Sequence, residues 1–416
     1  MNINKMFQKL IKDNFPALTH ANYRYFWIGQ CISLIGTWMQ NVGQAWLVYS
    51  LTDSPLLTGI LSAVQFIPIT AFSLFAGVVI DKFPKKRILF ITQSISMILA
   101  FILAILVFTE RVQYWHILLI AFILGCSNTI DMPTRQSFMI EITGREHLMN
   151  AIALNSMVFN LARILGPSIG GIILATVGAG WCFLLNGISF IAVLYGINKI
   201  QAEPFVRKVS KNIRVLDEIK DGLTYIKNKT LLLKTLLMVT VMGIFVYNFN
   251  VLIPVFTKQT LHMDGKTFGF LMASLGFGSL VGALTASIRG KKGPKPYILA
   301  FAAMGSSLGL ILTGLSKVYY LAALFLAITG IFNIFFSTTA NTTLQINSSD
   351  EYRSRVMSVY SLLFSGTNPI GSLLSGAISD SYSAAIAFTS SGLSVFILIA
   401  LINIAFKKPN STSATA

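Results

Sequence analysis

The feature that most constrains this chain is a succession of apolar segments separated by short polar connections. An apolar helix of about 20 residues matches the hydrocarbon core of a bilayer, about 30 Å thick. Such segments fall at about 25–51, 56–80, 88–108, 114–137, 149–175, 181–199, 229–256, 267–288, 297–314, 318–345, 355–379 and 382–406. The first and tenth are the least apolar. Charged residues make up only 11% of the chain, against about 25% for a soluble domain. The polar coat of an ordinary soluble enzyme is therefore missing. A hydrophobic content of 54%, with 31 Phe, also opposes disorder, except in the polar tail 409–416.

Orientation follows from Lys and Arg in the connections. Taken alternately, the connections on one side hold 26 basic residues and those on the other hold 4. That split puts both termini in the cytoplasm and requires an even number of spans. It also accounts for the net charge of +17 without a nucleic-acid partner. The basic first 23 residues are followed by no small-residue cleavage site, so the first segment reads as a retained span. Cys31, Cys126 and Cys182 lie inside apolar segments without a CxxC pair, which indicates neither a metal site nor a disulfide framework.

The longest connection, 200–228, lies near the midpoint. It divides the chain into a six-helix bundle (1–199), a cytoplasmic linker and a second six-helix bundle (229–416). Val215 to Ile226 has the pattern of an amphipathic helix lying on the membrane. The halves echo each other weakly: Gly166-Pro167 corresponds to Asn368-Pro369, and Gln136 to Gln345. Two six-span halves in parallel repeat are a recurrent transporter plan.

Polar groups are costly in hydrocarbon, so they should face a cavity or a partner helix. Gln30, Ser33, Thr37, Gln40, Asn41 and Gln44 form one stripe on the first span. Asn128, Asp131 and Arg135 share a face of the fourth. Tyr247, Asn250 and Pro254 share one on the seventh, and Asn333, Ser337, Asn341 and Gln345 one on the tenth. Each polar residue alone could be glue between packed helices. Together, spans 1, 4, 7 and 10 occupy equivalent places in the repeat, which favours a central cavity for a substrate.

Asp131 is the acid that lies clearly within a span, and Arg135 stands one turn further on. The pair reads either as structural or as the proton-coupling group. Arg163 lies near mid-membrane, placed either to bind an anionic substrate or to bond to the fourth helix. Gly166, Pro167, Gly170 and Gly171 continue its stripe and allow close approach of another helix. Between the second and third spans, Gly77, Asp81, Lys82 and Lys85 form a charge-dense turn. Asp81 is placed there to bond across the bundles as a cytoplasmic gate, near Arg355 to Ser358. The four His do not cluster, and no phosphate-cradling GxxxxGK[ST] occurs. No metal, cofactor or catalytic constellation is expected.

The Gly77 to Lys86 turn resembles the signature loop of the major facilitator superfamily, G-xxx-D-R-x-G-R-K/R, with Pro84 in place of the loop glycine. Gly166-Pro167-Ser168-Ile169-Gly170-Gly171 resembles the GPxxGG motif of its proton-coupled exporters. The likeness is greatest to the enterobactin-exporter and macrolide-efflux branch. It is carried by Trp46 to Thr52, Asp131 to Gln136, Asn150 to Ser156 with Ala162-Arg163, and Arg353 to Ser358. The resemblance implies an all-α fold of twelve transmembrane helices in two bundles. It also implies a monomer in the inner membrane, in contact with lipid, that exports a siderophore or amphiphilic drug against protons by alternating access. A proton-coupled uptake symporter is the alternative on this fold. A membrane enzyme or receptor is a remoter one.

Overall fold

The computed structural model describes residues 15–144, 146–201, 215–290 and 296–406. Among these residues the chain is helical, with no strands. In hydrocarbon a helix satisfies its own backbone N–H and C=O groups, so it is the form that apolar segments of this length must take. The first six spans are α1 (Ala21–Thr52), α2 (Pro55–Lys82), α3 (Lys85–Phe108), α4 (Tyr114–Thr143), α5 (Leu148–Thr176) and α6 (Ala179–Lys199). A linker helix, α7 (Val215–Asn228), follows where the sequence has its amphipathic pattern. The seventh span is broken into α8 (Thr230–Phe245) and α9 (Phe249–Gln259). Then come α10 (Gly265–Gly290), α11 (Pro296–Leu315) and α12 (Tyr319–Asn347). The eleventh span is also broken, into α13 (Asp350–Gly366) and α14 (Asn368–Ser381), and α15 (Ala384–Ala405) is the twelfth.

Among the described residues, ten segments are long and apolar enough by themselves to cross a membrane. The tenth span is among them, because the apolar first half of α12 outweighs its polar end. The first span is not, since its polar stripe lowers its hydropathy. Nor is the eleventh, whose first half begins with Asp350, Glu351, Arg353 and Arg355. Large apolar side chains cover the outer surface, among them Ile105, Phe277 and Phe301, as a lipid-facing surface requires.

The chain runs back and forth between two ends. The linker end carries α7 and both described termini. The turn end carries the tight turn at residues 53–54, where Ser54 caps α2 by accepting from Leu57 N at 3.3 Å. In the first half, α1 packs on α5 and α6, α2 on α4, and α3 on α4 and α6. In the second half, α12 packs on α10 and α11, and α11 on α15. Across the halves, α5 lies along α10 and α2 along α14.

These cross-contacts are unequal at the two ends. Helix α2 packs far more extensively on α14, the turn-end part of the eleventh span, than on α13. Lys258 pairs with Asp53, Ser54 Oγ donates to Asp380 Oδ1 at 3.2 Å, and Trp46 stacks on Phe268 at 5.3 Å. The core of the second half continues into Met39, Val42 and Tyr49 of α1 and Leu174 of α5, all toward the turn end. The bundles are thus joined at the turn end.

The linker helix docks on the second half. Tyr225 stacks flat on Tyr352 (4.3 Å between centroids, 4° between planes) and accepts a hydrogen bond from Ser349 N at 3.0 Å. Ile226 is buried beside it. Tyr225→Ala removes both the stack and the bond, a loss of about 0.5–1.5 kcal/mol each. Limited trypsin digestion should then cut at Lys227 and Lys229 several-fold faster, with the helical bundle intact. An unchanged cleavage rate would mean that Tyr225 does not hold the linker.

Candidate functional site

The stripe on α4 changes along its length. Ile117, Ala121 and Leu124, near the turn end, are buried against α1, α2, α3 and α6 of the same half, whereas Asn128 and Met132, further along the same face, are exposed and Arg135 is half-buried.

Asp131 lies in the α3–α4 contact and is 4% exposed. Thr92 Oγ1 donates to it at 2.6 Å and Gln93 Nε2 at 2.8 Å, and Arg135 Nε donates to its other oxygen. The spacing of Asp131 and Arg135 in sequence foretells the ion pair. It does not foretell Thr92 and Gln93, which come from the neighbouring helix. The side chains of Gly77, Asp81 and Lys82 lie outside the described residues, and with them the gate reading. Lys85 pairs with Glu141 at the end of α4, a contact between distant residues without a sequence signal.

The α1 stripe divides between roles. Gln40 accepts from Asn186 Nδ2 at 2.7 Å, joining α1 to α6 within the first half. Thr37 donates to Ser33 O of its own helix. Thr37 and Asn41 are half-buried, whereas Gln30 and Gln44 are buried with neither amide atom hydrogen-bonded among the described residues. Asn250, Asn333 and Asn341 are half-buried, and Gln345 donates to Asn341 at the linker end of α12.

On α5 the small-residue motif serves two contacts. A Cβ at Gly166 would lie 2.3 Å from Trp38 Cβ, and one at Gly170 would lie 3.0 Å from Met39 O, so both glycines face α1. A Cβ at Gly171 would lie 2.4 Å from Gly269 Cα, so that glycine faces α10 of the other half. Pro167 is buried inside the helix. At about 100° per residue, Arg163 falls between the α1-facing and α10-facing directions. Its guanidinium lies in electrostatic range of the Tyr247 and Tyr360 hydroxyls of the second half.

Those tyrosines sit beside the two broken spans. Tyr247 lies in the gap between α8 and α9, and Tyr360 on α13; both rings contact Phe364, at 4.8 and 5.6 Å. Tyr360 is also within hydrogen-bonding reach of Asn341. The breaks cross each other: Asn248 packs on Gly371 and accepts from Ser372 Oγ at 3.4 Å. The sequence marks Pro254 and Pro369 but not the breaks themselves, which begin before each proline. Tyr360, between Ser358 and Ser361, also carries no sequence signal of its own.

The glycines separate packing within a half from packing between halves. Gly171→Ala should push α5 from α10 and open the turn end. In a chain with Cys31, Cys126 and Cys182 replaced by Ser, Phe268→Cys should then react several-fold faster with an impermeant thiol reagent. Gly166→Ala should instead lower the yield of folded protein, through overpacking worth about 1–3 kcal/mol, and leave that reactivity unchanged. Equal behaviour of the two variants would reject the distinction.

The family described as transmembrane secretion effector matches residues 13–416. The staphyloferrin A transporter of Staphylococcus aureus is 25% identical over 391 residues, covering 90% of this chain and 94% of its own. Macrolide efflux protein A of Streptococcus pyogenes is 22% identical, covering 85% and 88%. Among solved structures, a bacterial homologue of the human lysosomal transporter Spinster, in an inward-facing and unoccupied conformation, superposes with a TM-score of 0.70. It is 14% identical and covers 94% of this chain and 96% of its own, so the fold is shared. With twelve spans, the bundle contacts described above and a family match over nearly its whole length, the chain belongs to the transmembrane secretion effector family of the major facilitator superfamily.

Proposed function

We propose that this protein exports a small organic molecule, a siderophore or an amphiphilic drug, across the cytoplasmic membrane in exchange for protons. The observation that carries this reading is the joining of the two bundles at the turn end, through Lys258 with Asp53, Ser54 with Asp380, Trp46 on Phe268 and α2 on α14. The names of two relatives, a staphyloferrin A transporter and a macrolide efflux protein, support the substrate class, and the second supports the direction. The functional unit is a monomer: bundle 1–199, linker 200–228 and bundle 229–416 rock about a central site. Gln30, Thr37, Gln40, Asn41, Gln44, Asn128, Arg163, Asn250, Asn333 and Asn341 are its polar lining. The linker end faces the cytoplasm, since it carries most of the basic residues.

Asp131 and Arg135 couple the proton. A proton on Asp131 breaks its pair with Arg135 and frees the guanidinium. Asp81, with Gly77, Lys82 and Lys85, closes the linker end when the turn end opens.

Orientation is tested in the same cysteine-free background, using exposed positions at each end. Lys317→Cys should react with an impermeant reagent added outside intact cells, and Asn228→Cys should not. The reverse pattern would overturn the orientation and the direction of transport with it.

For the proton, Asp131→Asn should lower gradient-driven export about tenfold, equivalent to about 1.4 kcal/mol, yet leave counterflow exchange in proteoliposomes. Full export would reject Asp131 as the coupling group. A drop in folded protein that Arg135→Gln restores would assign the pair to structure alone.

A further inference from the structure

Asp131 has a full set of partners for its charged form. Thr92 Oγ1 and Gln93 Nε2 donate to Oδ1, at 2.6 and 2.8 Å, and Arg135 Nε donates to Oδ2. A carboxylate only accepts, so three donors suit it. A carboxylic acid also donates. Once protonated, Asp131 needs an acceptor for its own O–H, because a buried polar group left unanswered is costly.

Gln93 holds that acceptor. It is 2% exposed, and its Oε1 is buried with no hydrogen-bond partner among the described residues. Chemistry fixes the orientation of the amide, since only Nε2 can face the carboxylate. The nearby hydroxyls do not answer Oε1: Ser96 Oγ and Ser127 Oγ both donate to Thr92 O, at 2.9 and 3.2 Å. Nor does the next acid along α4 compete, since Glu141 is paired with Lys85.

An amide spaces its oxygen and nitrogen much as a carboxyl spaces its two oxygens. The terminal torsion of Gln is broad, so the two groups can lie edge to edge. In that arrangement Nε2 still donates to Oδ1, while Oδ2–H donates to Oε1. One amide thus answers both charge states, as a donor to the carboxylate and as donor and acceptor to the acid.

We propose that Gln93 is the positioning residue that holds the protonated state of Asp131. The proton, taken from the medium, adds to Oδ2, the oxygen that Arg135 leaves, and the new O–H donates to Gln93 Oε1. The bond from Arg135 is exchanged for a bond to Gln93, and Thr92 and Gln93 Nε2 keep their bonds to Oδ1. This assignment rests on the proton-coupling reading of Asp131 above and names the partner of its protonated form.

The test uses full-length protein in lipid bilayers and two readouts. Acid-minus-neutral infrared difference spectra should show a protonated-carboxyl stretch that Asp131→Asn removes. Gln93→Met, which removes donor and acceptor at similar size, should shift that band to higher wavenumber, as loss of hydrogen bonds does. In proteoliposomes Gln93→Met should lower gradient-driven export about tenfold and leave counterflow exchange unchanged. Gln93→Lys keeps a donor for the carboxylate but lacks the acceptor, so it should lose export too, whereas a mere tether at this position would survive it. Should either variant fail to fold, Gln93→Asn, whose amide falls one methylene short of the carboxyl, takes its place.

A carboxyl band indifferent to Gln93→Met overturns the role, and so does full export in that variant while Asp131→Asn is uncoupled. Loss of export in Thr92→Val but not in Gln93→Met would give the acceptor to Thr92 and overturn it as well. The coupling reading fails separately. A band that depends on Gln93, with full export in Asp131→Asn, rejects coupling and keeps the acid–amide pair. Coupling through Asp131 with an indifferent band does the reverse.

Discussion

Within hydrocarbon each backbone N–H and C=O must find a partner in the protein, because water is not there to supply one. Everything else in this fold is arranged around that demand. It makes the apolar segments helices, and it makes any interruption of a helix costly unless another element answers the freed groups. The two interruptions, between α8 and α9 and between α13 and α14, lie against each other and share the Asn248–Ser372 contact. They also border the space between the halves. Irregular backbone is thus confined to the place where other protein groups, or a cavity, can satisfy it.

The same demand sorts the polar side chains. Some are spent within a half, as Gln40 is on Asn186 and Asp131 on Thr92, Gln93 and Arg135. Such pairs hold a bundle together through each change of state. Others lie on the faces between the halves, where contacts must form and break. There the joining forces are modest. The Lys258–Asp53 pair is largely exposed, at 40% and 70%, and an exposed pair contributes about 0–1 kcal/mol. Helix–helix contact at Gly171 and Gly269 adds dispersion at short range. Weak joints suit a protein that alternates between states, since a deep minimum at one end would hold it there.

The number, order and approximate limits of the spans were determined by the sequence, because hydrocarbon thickness sets segment length and apolar content marks where each lies. Residues 215–226 likewise announced an amphipathic linker helix, through their alternation of apolar and charged positions. The periodicity of α4 put Asp131 and Arg135 one turn apart, and an i,i+4 pair is local enough to be read before folding. The spacing Gly166, Gly170, Gly171 announced close packing. Tertiary structure alone decided that the motif splits, Gly166 and Gly170 meeting α1 and Gly171 meeting α10, because partners across helices are separated by over a hundred residues of chain in one case and by none of its periodicity in any. It alone brought Thr92 and Gln93 to Asp131 and Glu141 to Lys85. It also decided which end is joined, since the contacts there pair residues far apart in the chain, such as Lys258 with Asp53 and Ser54 with Asp380.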